Sequence, residues 1–355
     1  MTVFHLKRRC PFSILARHFS NSRNALLKGP WKVLFLGTDE FSLPHLEVLN
    51  KNRIESGSAV SQLEATVTTK KCPTYHYARK NDIKLHVWPM GDITDQYDVG
   101  VIVSFGRLIP ESFIQKFPRG ILNVHPSLLP KWRGAAPIQH TILNGDQETA
   151  VSIMEISPHQ FDVGPLLIQE QYPIMKGATA ISLQQELAKH GSRLLLHCLE
   201  NLDSITKFEQ DATINPGPYA KKFSLKHSFV NWEKQGVDDI DRHYRALADM
   251  LDIRSVYRET QVRLRKMVEP CNFPRNTLEK VLKNELGPGQ PIYLHKEELL
   301  CIRCWDGWVG FKEINIKKPM TAKSFYNGYL SKKDNKNVLF QSVENGLDSY
   351  FVLNR

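Results

Sequence analysis

Residues Asn123 to Gly134, reading NVHPSLLPKWRG, constrain this chain more than any other stretch. Two short apolar runs precede it, Asp98-Val99-Gly100-Val101-Ile102-Val103 and Ile121-Leu122, and β-branched runs of this kind make buried strands. Asn123 and His125 stand where the second run ends. In an extended chain residues two apart project to the same side, so the pair faces one pocket. Pro126 lacks the amide that a central strand needs, which places the pair at a strand's carboxyl end. Open α/β sheets bind ligands at that edge.

The neighbouring segments supply such a sheet. Trp31 to Gly37 reads as a buried strand ending in a glycine turn, followed by the helical spacing of Leu43, Leu46 and Leu49. Strands are expected at Leu63 to Val67, Ile83 to Val87 and Asp98 to Ser104, and Phe105 to Pro110 forms a loop into a helix. Pro137 to Leu143 reads as a helix stopped by Asn144-Gly145-Asp146. Alternating Val151, Ile153 and Ile156 make a strand that leads into the loop Ser157 to Gly164, which carries Asp162. Another strand at Pro165 to Glu170 and an amphipathic helix at Ile181 to Leu199 follow. The expected fold is α/β, a doubly wound and mostly parallel sheet. Asn215-Pro216-Gly217-Pro218 breaks any element and reads as a linker. Beyond it come a helix at Ile240 to Leu251 and strand-like runs around Leu278 to Val281, Pro291 to Leu294, Leu299 to Trp305, Trp308 to Ile316 and Val338 to Phe351. Short strands at close intervals predict a second, smaller β-barrel domain. The expected divisions are a leader at 1–28, a catalytic domain at 29–203, a linker at 204–224 and the barrel at 225–355.

The net charge of +10 is unevenly placed. Residues 1 to 32 hold seven Lys or Arg and no acid, 33 to 210 hold sixteen basic against nineteen acidic, and 211 to 355 hold twenty-four against eighteen. The excess therefore lies in the leader and the second domain, where it suits a polyanionic partner. The leader is Arg- and Ser-bearing, acid-free and interleaved with Phe and Leu, which is the pattern of a mitochondrial transit peptide removed near Ala16 to Ser20. No run of 18 apolar residues exists, so a membrane span is not expected. The six scattered cysteines argue for a reducing compartment. Cys301 and Cys304 form a CxxC without the second pair that a structural zinc needs, so no metal is expected.

Three polar groups are candidates for chemistry: Asn123, His125 and Asp162. A carboxylate near a histidine orients the imidazole and stabilises its charged form, while an Asn amide donates to a developing oxyanion. Ser127 lacks the G-x-S-x-G pattern of an activated nucleophile. The residues thus point to acyl transfer between two bound groups without a covalent enzyme intermediate.

Asn123 to Gln139 (NVHPSLLPKWRGAAPIQ) closely resembles the central motif of folate-dependent formyltransferases, and its WRGAAPIQ continuation resembles the branch of that family acting on methionyl-tRNA. Phe35 to Phe41, Ser104 to Pro110 and Phe161 to Gly164 are similar to the family's glycine turn, folate loop and catalytic-Asp loop. The resemblance implies Asn123, His125 and Asp162 as catalytic residues. It places Ser127, Leu128, Leu129 and Pro130 along the folate, and backbone around Arg107 and Leu108 on the pterin. It also implies 10-formyltetrahydrofolate as co-substrate, methionyl initiator tRNA as acceptor, and, with the leader, a monomer of the mitochondrial matrix. Two departures stand out. The family's long basic loop after the second strand is shortened to Thr68 to Lys80, and its Asn-Pro-Trp-Pro segment is replaced by Ala248 to Leu251. Three other readings stay open here: formylation of a small amine, an inactive RNA-binding relative, and a dehydrogenase, the last disfavoured by the single-glycine turn.

Overall fold

The computed structural model describes residues 29–91, 96–210, 216–282, 284–331, 338–345 and 347. The expected transit peptide at 1–28 and the end of the expected strand at Val338 to Phe351 lie outside the described residues.

The first half contains strands β1 (Trp31–Gly37), β2 (Val60–Val67), β3 (Lys84–Val87), β4 (Val99–Val103), β5 (Ile121–His125), β6 (Arg133–Gly134), β7 (Glu148–Glu155) and β8 (Leu166–Pro173). All but β6 join one sheet in the order β3-β2-β1-β4-β5-β7-β8. The first five of that order run parallel, and β7 and β8 are antiparallel. Helices α1 (Leu43–Arg53), α2 (Pro73–Lys80), α3 (Glu111–Ile114), α4 (Pro137–Asn144) and α5 (Ala180–Glu200) cover it. Both faces of β1 are buried: Val33 and Phe35 join one core with Leu46, Leu122 and Leu195, and Leu34 and Leu36 join another with Ile102, Phe113 and Ile121. That double covering is why the central strands read as continuous apolar runs instead of alternating ones. Each such side chain contributes roughly 1.5–3 kcal/mol by leaving water. The strand order reverses between β1 and β4, opening a crevice at their carboxyl ends. Thr38 bridges it, its Oγ1 donating to the Ser104 carbonyl at 3.0 Å.

The chain then runs through β9 (Tyr219–Ala220) and α6 (Val237–Leu251) into β10 (Ile253–Tyr257), β11 (Thr260–Met267), α7 (Arg275–Val281), β12 (Pro291–Leu294), β13 (Leu299–Arg303), β14 (Trp308–Asn315), β15 (Pro319–Thr321), α8 (Ala322–Phe325) and β16 (Phe340–Gln341). The second sheet has the order β12-β13-β14-β11-β10-β16. Its pairs are antiparallel. It rolls into a barrel: the Phe340 amide of the last strand donates to the Gly289 carbonyl just ahead of β12, at 2.9 Å. Gly289 has φ +81°, and a Cβ there would lie 2.2 Å from the Phe340 oxygen. Helix α6 packs on α4 and α5, and Arg245 donates to the Ala178 carbonyl at 2.9 Å, so the two halves share an interface.

Two expectations need correction. Leu278 to Val281 is the end of helix α7 and not a strand, because Pro274 starts a helical turn in which the Leu278 amide bonds the Pro274 carbonyl. The hairpin β10–β11 was not expected at all. Its buried positions do alternate as Ile253, Ser255, Tyr257 and Val262, Leu264, but a serine and four arginines disguise the pattern. Its turn puts Arg258 and Glu259 at φ 50° and 61°, the geometry usually signalled by Asn-Gly.

Two stability predictions follow from this packing. Gly289→Ala should lower stability in urea by about 2 kcal/mol or more, since the side chain meets backbone and the φ is left-handed. Gly287→Ala, with its nearest neighbour atom 4.0 Å from the new carbon, is the matched control and should be nearly neutral. Burial drives the pKa of His45 and of His243 down to about 4, with backbone carbonyls of Phe41 and His227 opposing weakly. The unfolded chain therefore binds more protons below about pH 6.5, and stability should fall as pH drops from there towards 4. A urea midpoint that stays level between pH 6.5 and 5 would contradict this.

Candidate active site

Asn123 and His125 lie on β5, where register pairs them with Met154 and Ser152 of β7, and Asp162 lies in the loop joining β7 to β8. The three side chains meet. Asn123 Nδ2 donates to Asp162 Oδ1 at 3.2 Å, the Gly134 amide donates to Asp162 Oδ2 at 2.9 Å, and His125 Nδ1 lies 3.7 Å from Oδ1. The His125 and Asp162 side chains are only 7% and 9% exposed, which shields their interaction from bulk water. His125 Nε2 is 3.1 Å from the Trp132 carbonyl. A carbonyl only accepts, so Nε2 carries hydrogen, and a neutral imidazole turns its bare Nδ1 towards Asp162. The imidazole is thus oriented from its far side by backbone, and its Nδ1 can donate to the carboxylate only in the charged form.

Asp162 adopts φ 58°, a left-handed conformation that costs a non-glycine residue about 1–3 kcal/mol. Two hydrogen bonds to a charged carboxylate, at roughly 1.5–3 kcal/mol each, are enough to offset it. The loop is also tied at its base. The Glu155 amide bonds the Pro165 carbonyl at 3.0 Å, and Gln210 Nε2 donates to the Gly164 carbonyl at 2.7 Å. A Cβ on Gly164 would sit 1.7 Å from the Glu155 oxygen, so only glycine lets the loop close this tightly.

The chain at 216–221, read from sequence as linker, is a strap across the site. The Trp132 amide donates to the Pro218 carbonyl and the Ala135 amide to the Ala220 carbonyl, both at 2.9 Å, and β6 pairs with β9. His140 Nε2 lies 2.9 Å from the Lys221 carbonyl, and its ring stacks between Trp132 and Phe223, at 5.3 and 4.5 Å. Lys131 and the Trp132 indole both reach Asp146 at 2.8 Å. Sequence reasoning missed the strap, Gln210 and the two backbone contributors, because the Gly134 amide and the Trp132 carbonyl carry no side-chain signal.

The four residues of 127–130 divide. Ser127 is fully buried, its hydroxyl donating to the Lys131 carbonyl at 2.8 Å, and Leu129 is buried with its carbonyl held by Gln169. Leu128 lines a recess of about 130 Å³ with Lys131, Trp132 and Asp146. Pro130 is partly exposed. On the crevice side Arg107 and Leu108 are exposed. Ser104 and Gly106 take φ 48° and 67°, and space around Gly106 is open. Among the described residues no backbone partner takes the amides of Phe105 to Leu108, leaving hydrogen-bonding edges free for a flat heterocycle. Cys301 and Cys304 are free and fully buried, with thiols pushed up to about 12 by burial, hence unreactive. Among the described residues no three metal-ligating side chains cluster, and no helix is long and apolar enough to cross a membrane.

Both halves of the chain match known proteins. Residues 33–199 match the formyl transferase family, and 222–330 match the formyl transferase C-terminal domain. The mitochondrial methionyl-tRNA formyltransferases of Homo sapiens and Mus musculus are each 39% identical over 309 and 313 residues, 85% of this chain and 79% of theirs. Among solved structures, an N-formyltransferase from Helicobacter canadensis complexed with folinic acid and dTDP-3-aminofucose aligns with TM-score 0.57 at 20% identity, over 81% of this chain and 99% of that one. HypX from Aquifex aeolicus, in complex with tetrahydrofolic acid, aligns with TM-score 0.55 at 18% identity, over 84% of this chain and 47% of that one. Those two likenesses show a shared fold. The matched families and the extent of the identity place this chain among the formyl transferases, in the methionyl-tRNA formyltransferase branch.

Proposed function

We propose that the protein transfers the formyl group of 10-formyltetrahydrofolate to the α-amino group of methionyl initiator tRNA in the mitochondrial matrix, acting as a monomer. The formylation of methionyl-tRNA and the mitochondrial setting rest on the relatives. The observation that carries the chemistry is the convergence of Asn123, His125 and Asp162 at the end of β5.

In this reading the folate lies in the crevice beside Arg107 and Leu108 and along Leu128 and Pro130, with Ser127 and Leu129 shaping the wall from within. The formyl carbon then sits against the trio. The attacking amine must be neutral, and an unperturbed α-amino pKa of about 8 makes that inexpensive in a mildly alkaline compartment. Asp162 accepts from Asn123 and from the Gly134 amide, and its carboxylate is placed to take the proton that the amine releases on attack. Asn123 commits one amide hydrogen to Asp162 and has a second for the oxyanion, where a single such donor is worth about 10²–10³ in rate. His125, anchored at Nε2, offers Nδ1 to donate to the oxyanion when charged and to pass the proton towards the departing folate nitrogen. Holding both substrates in this geometry supplies the remainder by proximity.

Single-turnover transfer with three acceptors tests the reading. Methionyl initiator tRNA should be formylated, while free methionine and a different aminoacyl-tRNA should react far more slowly, and raising salt should weaken tRNA binding steeply. Equal rates with free methionine would instead favour formylation of a small amine. Gly164→Ala should lower the rate about 100-fold by displacing the Asp162 loop, with tRNA affinity kept. Undiminished turnover in that variant would remove the loop from the account.

A further inference from the structure

The strap that holds the active-site loop also presents an unused surface. Tyr219 of β9 sits on Gly134: a Cβ at Gly134 would lie 2.8 Å from its ring Cζ. The Gly134 amide in turn holds the Asp162 carboxylate at 2.9 Å, so the ring is one residue away from the chemistry. Tyr219 nevertheless remains 48% exposed, which leaves the ring surface turned away from Gly134 to solvent. Phe161, next to Asp162 in sequence, is similarly exposed at 53%, but it rides on an irregular loop, whereas Tyr219 is fixed by the β6–β9 pairing and by the Trp132 and Ala135 amides bonding either side of it. The surrounding strap is basic, with Lys221, Lys222 and Lys226 and no acid between Pro216 and Trp232.

We propose that Tyr219 is the stacking platform for the terminal nucleobase of the acceptor tRNA, a subsite that sets the aminoacyl end against Asp162. The proposal rests on the methionyl-tRNA reading above. An exposed, rigid ring amid lysines is how single-stranded nucleic acid is held, because every base has a π-face and the charges follow the backbone. In an aminoacyl ester seven bonds separate the amine from the base nitrogen, a reach of about 8 Å at ordinary bond lengths, so a base stacked on Tyr219 keeps its aminoacyl group near Gly134 and Asp162.

The test uses the whole protein with a formyl donor and two small acceptors: adenosine carrying methionine through a stable 3′-amide, and the same molecule lacking the base. Wild type should favour the first by about tenfold in kcat/KM, in keeping with one stacked base. Tyr219→Leu should erase that preference while leaving transfer to the base-less acceptor unchanged. Tyr219→Phe and Tyr219→Trp should keep it. Equal loss on both acceptors would mean that the ring merely props Gly134, and a preference that survives Tyr219→Leu would also overturn the subsite. If wild type failed to formylate methionyl-tRNA itself, the underlying function would fall and not the subsite alone.

Discussion

Everything at this site depends on keeping one carboxylate in place. Asp162 stands on an irregular loop, in a backbone conformation that its residue type disfavours. It is kept there by groups from three separate parts of the chain: Asn123 at the end of a central strand, the Gly134 amide, and the Gln210 side chain that closes the loop below it. None of these contacts is local in sequence, so the site exists only when the sheet, the loop and the strap are all formed. The sheet supplies rigidity, since β5 lies between β4 and β7 with core on both sides.

The strap extends this dependence into the second half of the molecule. From Pro216 to Lys221 its carbonyls receive donors from the active-site loop and from His140, and beyond Phe223 it runs into the helix α6 that caps the barrel. The stacked rings of Trp132, His140 and Phe223 continue the same connection, and His227 meets Phe223 edge-on at 5.5 Å. Burial lowers the pKa of His140 and of His227, which favours neutral imidazoles in this stack. The barrel domain is thereby joined mechanically to the loop that carries Asp162.

The sequence disclosed the first domain well and the second less so. Gly37, the apolar run at Val99 to Val103 and the Asn-x-His at a strand end are strong signals, because a parallel sheet buried on both faces leaves its strands little freedom in composition. The glycine stop at Gly145 appears in the fold with φ 73°, as its type suggests. The barrel was readable only in part. Its hairpin β10–β11 alternates polar Arg with buried residues that include Ser255, and its turn lacks the usual residues, so neither strand composition nor turn chemistry announced it. The helix at Arg275 to Val281 was mistaken for strand because a single short apolar run is compatible with either. Within the site, side chains were legible and backbone was not. Asn123, His125 and Asp162 could be named as candidates from sequence, whereas the Trp132 carbonyl, the Gly134 amide and the strap carbonyls reach them only through folding.

The most direct test of the account is a single-turnover measurement on Asp162→Asn, made with saturating formyl donor and methionyl initiator tRNA, alongside equilibrium affinities for both substrates. Asparagine keeps the size of the side chain but removes its charge and its capacity to take a proton. The transfer rate should fall by about 10³ or more, within the range for losing a positioned acid or base, while both affinities stay close to those of wild type. A variant that transfers the formyl group at the wild-type rate would contradict the central place given to this carboxylate.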